Sequence, residues 1–183
     1  MKKLIIGLLF MLPSVALLAQ GVGVGIKGGV NFANVDAEDL STNSITSYHI
    51  GGYVNINLSE KFGITPEVQW TAMGSEIEDA ELNTDWISVP IMLRFKPISL
   101  ISLEAGPQFN FLVNAEYGGD DWKDQLKSNE FGLGVGAGIH LPLGINGGVR
   151  YILGFTNIND VSDESIKNRT FQIYVGWTLF GAK

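Results

Sequence analysis

Eight stretches of the chain alternate polar and apolar side chains, and nearly every charge inside them falls on one alternate set. In the stretch from Ser102, one parity holds Leu103, Ala105, Pro107, Phe109, Phe111 and Val113. The other holds Glu104, Gly106, Gln108 and Asn110. Successive side chains on a strand face opposite sides of its sheet. A sheet built from such stretches is apolar along one whole face and polar along the other. A soluble barrel buries the apolar face, whereas a membrane barrel turns it to lipid and keeps the polar face inside. Choosing between those two decides what kind of protein this is.

The stretches cover about residues 21–32, 47–58, 62–74, 85–95, 100–114, 130–141, 145–155 and 170–180. Each is near or somewhat above the roughly 9–11 residues that cross a bilayer at a tilt. The connections alternate in length. Those at 59–61, 96–99 and 142–144 are tight, and those at 33–46, 75–84, 115–129 and 156–169 are long and polar. Short turns at one end and long loops at the other are the layout of an outer-membrane barrel, with the turns in the periplasm. An even strand number puts both termini on the turn side. The expected fold is therefore all-β: an eight-stranded antiparallel up-and-down transmembrane β-barrel.

The face read as outward carries Val24, Ile26 and Val30 at the start of the chain and Ile173, Val175 and Trp177 at its end, with no charged residue anywhere in the set. A charge there, near the bilayer midplane, costs about 2–4 kcal/mol. The inward set includes Lys27, Asn31, His49, Tyr53, Glu67, Gln69, Arg94, Glu104, Gln108, Arg150 and Tyr174. A lipocalin-like soluble barrel with the faces exchanged is the competing reading. Trp70, Trp177, Phe171 and Tyr151 argue against it, because they fall near strand ends, where a membrane girdle places aromatics.

Residues 1–19 read as a signal peptide. Lys2 and Lys3 precede an apolar run from Leu4 to Leu18, and Ala16 and Ala19 are the small residues near its end. Residues 20–183 then form one outer-membrane barrel domain, without a single cysteine for disulfide or thiol chemistry. Glycines populate the inward parity at Gly132, Gly134, Gly136 and Gly138, and again at Gly23, Gly25 and Gly29. A small barrel has little interior room, so large inward residues need small ones opposite them. A phosphate-cradling loop needs a strand, a turn and then a helix, and no helical pattern follows these glycines.

The chain resembles the outer-membrane β-barrel domain family of the Bacteroidota, the porin-like or PorT-like proteins. The resemblance rests on Gly28-Gly29-Val30-Asn31-Phe32, on the run from Ile87 to Phe95 with Pro90 and Arg94, on Leu103-Glu104-Ala105-Gly106-Pro107, and on the run from Arg150 to Ile158. It implies the fold and says little about activity. One departure is at the end of the chain, where Phe180 is followed by Gly181, Ala182 and Lys183 rather than being terminal. Strict alternation turns Phe180 inward, which predicts a bulge in the last strand.

No catalytic, cofactor or metal site is read, and the protein is expected not to be an enzyme. His49 and His140 are the only histidines, and they fall toward opposite ends of their strands. Ser99 and Ser102 lie near turns with no histidine beside them on the same strand, so the nucleophile–base pair of a lipid-modifying enzyme is not visible. The long loops are acidic, with Asp36, Glu38, Asp39, Glu76, Glu116, Asp120, Asp121 and others. The spacing at Gly118-Gly119-Asp120-Asp121 does not match an EF-hand, and charge runs mostly solvate.

Inside the barrel, Lys27, Glu67, Arg94, Glu104 and Arg150 are expected to form an ion cluster with Glu67–Arg94–Glu104 as its core, because buried charges must pair. The reading is a structural or surface-interaction barrel with a side-chain-filled lumen. A narrow pore and a lipid-modifying enzyme are the alternatives. The expected partners are outer-membrane lipid and lipopolysaccharide, with the barrel-assembly machinery during insertion. Nucleic acid is not among them, no cofactor is expected, and the protein should be a monomer.

Overall fold

The computed structural model describes residues 21–37, 42–77, 80–123, 126–155 and 166–181. The expected signal peptide lies outside them, as do loop residues such as Glu38, Asp39, Asp124 and Asp160. Eight strands run β1 (Val22–Ala37), β2 (Thr42–Asn57), β3 (Phe62–Ile77), β4 (Ala80–Ile98), β5 (Ile101–Tyr117), β6 (Asn129–His140), β7 (Ile145–Gly154) and β8 (Ile166–Gly181). Each pairs antiparallel with the next, and β8 pairs with β1, so the sheet closes into an up-and-down barrel. Closure leaves no free strand edge to pair with another chain. Among the described residues no helix is long and apolar enough to cross a membrane.

The register fixes the barrel's girth. Paired residues lead from Lys27 through Gly51, Gln69 and Ser88 to Asn110 in one direction. In the other they lead through Gly176, Asn146 and His140 to Leu100, so the ring closes on the β5 side offset by ten residues, from 100 to 110. Eight strands with that stagger tilt about 40° from the axis and leave an interior just wide enough for side chains to fill.

The apolar parity faces out. Val24, Ile26, Ile50, Val68, Leu93, Leu103, Val135, Ile173 and Val175 are exposed large hydrophobics. Aromatics bracket this band. Phe32, Tyr48, Trp70, Phe109, Phe131 and Phe171 ring the end with long connections, and Phe62, Trp177 and Phe180 stand at the turn end. Several are stacked in pairs, such as Phe109 on Phe131 at 5.4 Å and Phe62 on Phe95 at 5.0 Å.

The strands outrun their pattern. β1 continues to Ala37, and β3 and β4 remain paired as far as Ile77 and Ala80, so the expected 75–84 connection is mostly hydrogen-bonded ladder. Alternation ends where lipid ends, but backbone pairing does not require an apolar face. The expected bulge in the last strand is present. Gly25 pairs with Thr178 and Val24 with Phe180, which leaves Leu179 as the extra residue and turns Phe180 outward.

Candidate functional site

The lumen holds the polar residues, and they stack in layers along the barrel axis. Gly51 sits between Lys27 and Gln69 in the register, and its missing side chain leaves room for Gln69, whose Cγ would stand 2.9 Å from a Cβ there. Lys27 Nζ, on β1, reaches the Glu67 carboxylate of β3 at 3.0 Å. Arg150 meets the same carboxylate from the far wall, with Nη1 to Oε2 at 3.0 Å and Nη2 to Oε1 at 2.9 Å. Arg150 Nη2 also donates to Glu104 Oε2 at 2.6 Å. Tyr174 closes the group: its hydroxyl donates to Glu104, and the Lys27 ammonium lies 3.8 Å from the centre of its ring. Two cations and two carboxylates thus neutralise one another in a buried network, and Arg150, 1% exposed, is its hub. Gly134 makes room for it; a Cβ there would stand 3.3 Å from Met92 Cε and 3.4 Å from Arg150 Cδ.

Arg94 does not take the place expected of it. Its partner in the register is Gly63, four residues nearer the turns than Glu67, so it lies about 13 Å along the strand from that carboxylate. Glu104 is paired with Arg94 across β4 and β5, but its carboxylate is held by Arg150 and Tyr174. Arg94 instead donates Nη1 to Asn55 Oδ1 and Nη2 to Asn57 Oδ1, both at 2.7 Å. The expected Glu67–Arg94–Glu104 core is therefore an Arg150-centred network with Arg94 in the layer below. Adjacent strands in sequence are not level in a tilted barrel, and this is why strand order alone misplaced it.

Above the network is a layer of amides and His49. His49 Nδ1 donates to Asn31 Oδ1 at 2.7 Å, which also accepts from Gln172 Nε2 at 3.1 Å. Gln69 donates to Glu67, linking this layer to the ions. His49 is at mid-strand in β2 rather than near its loop end.

Higher still, the lumen ends in an apolar core of Met73, Trp86, Leu112, Ala115 and Leu126, with Tyr117 and Trp122 packed on it. Trp86 is completely buried and donates Nε1 to Thr84 Oγ1 at 2.8 Å. Sequence reading missed this cap, although Trp86 shares the inward parity of Ser88 and Arg94. The expected 115–129 loop supplies part of it. Gly118 and Gly119, with φ of 58° and 95°, turn the chain so that Asp120 and Asp121 pair back on Tyr117 and Glu116, and Leu126 reaches the core.

At the turn end the lumen widens into a vestibule of about 960 Å³, lined in part by Asn57, Lys96, His140 and Gly144. Here the structure corrects a second reading. His140 Nε2 and Ser102 Oγ share a hydrogen bond of 3.0 Å. Ser102 pairs with Gly138 across β5 and β6, which makes His140 its inward-facing diagonal neighbour. No scan along one strand reveals such a pair. Among the described residues no three acidic or histidine side chains converge in a way that would hold a metal.

The family model for the outer membrane protein beta-barrel domain matches residues 5–178. No curated protein matches the chain by sequence. Among solved structures, the chain is similar to Ail, the attachment invasion locus protein of Yersinia pestis, at 13% identity. That match covers 86% of this chain and 98% of that one, with a TM-score of 0.58. Neisserial surface protein A is similar at 12% identity, over 87% of this chain and 99% of that one, with a TM-score of 0.58. OprG from Pseudomonas aeruginosa is similar at 13% identity, over 90% and 99%, with a TM-score of 0.53. At such identities the likeness concerns the fold.

Proposed function

The chain belongs to the outer membrane protein beta-barrel domain family, and from that premise we propose that it is a plugged barrel with a structural or surface-interaction role, neither a conduit nor an enzyme. One observation carries this reading. The Arg150 network spans the lumen from wall to wall, joining β1, β3, β5 and β7 beneath an apolar cap. A solute would have to break both. What remains for contact with other molecules is the outer wall and the two ends. Lipid and lipopolysaccharide meet the wall, the barrel-assembly machinery handles the chain during insertion, and the closed sheet favours a monomer.

Within the family we place the chain with the porin-like or PorT-like barrels of the Bacteroidota, on the runs around Gly29, Pro90, Gly106 and Tyr151. Residues 1–19 are its secretion signal. The long connections face outward and both termini the periplasm, a reading supported by the tight turns at 58–61 and 141–145. Epitope tags test this orientation. A tag at Gly118-Gly119 is expected to bind antibody on intact cells, and one at Ser99 only after permeabilisation. The reverse would overturn the assignment.

The Ser102–His140 hydrogen bond favours a second reading, a serine hydrolase acting on lipid. Against it, Ser102 is fully buried and faces the lumen, away from the lipid wall. A fluorophosphonate probe is expected to leave Ser102 unlabelled; labelling abolished by Ser102→Ala would support the hydrolase instead.

A further inference from the structure

Arg94 is a buried cation without an ion-pair partner of its own among the described residues: Glu104, beside it in the register, gives its carboxylate to Arg150 and Tyr174. Arg94 is 5% exposed, and the side chains that accept its hydrogen bonds, Asn55 and Asn57, are neutral. Among the described residues no carboxylate lies within salt-bridge distance of it. Its Nε is buried without a hydrogen-bond partner. Buried charges are ordinarily paired, and an arginine offers five N–H donors in a fork that suits a planar or tetrahedral oxyanion.

The space beside Arg94 has room for a single oxygen of such a group, reaching in from the vestibule. A small cavity of about 20 Å³ touches Arg94, Lys96, His140, Asn57 and Thr178. The vestibule below shares Asn57, Lys96, His140, Leu141 and Gly144 with it, so the two adjoin. A second cavity of about 20 Å³, on the side of the ion network, also touches Arg94 and His140, but Glu67 and Glu104 line it and disfavour an anion there. Each has room for about one water-sized group. One carboxylate lines the vestibule, Glu60, exposed in the 58–61 turn, and none lines the small cavity that adjoins the vestibule beside Arg94. The network above is closed and charge-balanced, so the vestibule is blind.

We propose that this vestibule, with the small cavity that adjoins it, is a binding site for a small oxyanion of the phosphate class, with Lys96 and His140 on the vestibule wall and Arg94 behind them in the inner cavity. The inference goes beyond the plugged-barrel reading and depends only on the turn-end layer. Arg94 supplies Nε–H and the free Nη hydrogens, and Lys96 adds the second positive charge. A free anion in the turn-side compartment and the phosphate of a phospholipid headgroup present the same chemistry.

The test uses the full chain refolded in uncharged maltoside micelles, titrated with inorganic phosphate at constant ionic strength. Calorimetry and the Arg94 Nε–H resonance are followed together. Saturable heat with a saturating shift of that resonance is expected, with the heat lost in Arg94→Gln and binding weakened several-fold in Lys96→Gln. Lys61→Gln, outside the lining, should leave both unchanged. A resonance already shifted in phosphatidylglycerol nanodiscs without added phosphate identifies the headgroup as the source; one that shifts only on adding phosphate identifies the free anion. If Arg94→Gln does not refold, the wild-type titration and Lys96→Gln decide. No saturable heat or shift in either setting overturns the proposal. So does saturable heat that leaves the Arg94 resonance unmoved.

Discussion

Two buried arginines in one lumen have different energetic weight. Arg150 bridges two carboxylates, each also held by a second donor, so its removal leaves Glu67 and Glu104 short of positive charge. Breaking a buried pair in this way costs about 3–5 kcal/mol. Arg94 makes two hydrogen bonds to neutral amides and no ion pair, so its removal leaves no buried carboxylate stranded. Removing it also relieves the burial of a cation that has no carboxylate in salt-bridge contact. Urea unfolding is therefore expected to show Arg150→Ala far less stable than wild type and Arg94→Ala only modestly changed. Equal losses would contradict the assignment of Arg150 as hub. Which residues point inward was legible from parity alone, since period-two alternation is local. Which of them touch was not, because that depends on the stagger of strands far apart in sequence.

Among the strands, β6 shows most plainly how composition serves packing. Its inward glycines looked like the small partners of large residues elsewhere, and Gly134 proves to face Met92 and the Arg150 stem. Gly134→Leu is expected to lose the heat-modifiable gel shift of the folded barrel, and Met92→Ala in the same chain to restore part of it. A Gly134→Leu barrel that folds like wild type would mean the lumen is looser than described. Strand ends were less legible. β1 to β5 extend past their apolar pattern because hydrogen bonding continues beyond the lipid band, where nothing selects side-chain parity. The bulge at Leu179 was readable, since a terminal aromatic pair of opposite parity needs an extra residue. The Ser102–His140 contact was not, being a diagonal across two strands.

For the whole molecule, the tilt and stagger of eight strands leave an interior that side chains fill, and those side chains divide it into a blind vestibule, an ion network, an amide layer and an apolar cap. The cap escaped a reading that sought polar residues and glycines on the inward parity, because Trp86, Leu112 and Met73 are large apolar residues there. The central claim is that this lumen does not conduct, and planar-bilayer recording tests it most directly. Wild-type protein, shown to be inserted and folded by its gel mobility, is expected to carry no steady current across the applied voltages. A stable, well-defined unitary conductance in the wild type would contradict the plugged lumen and establish the barrel as a pore.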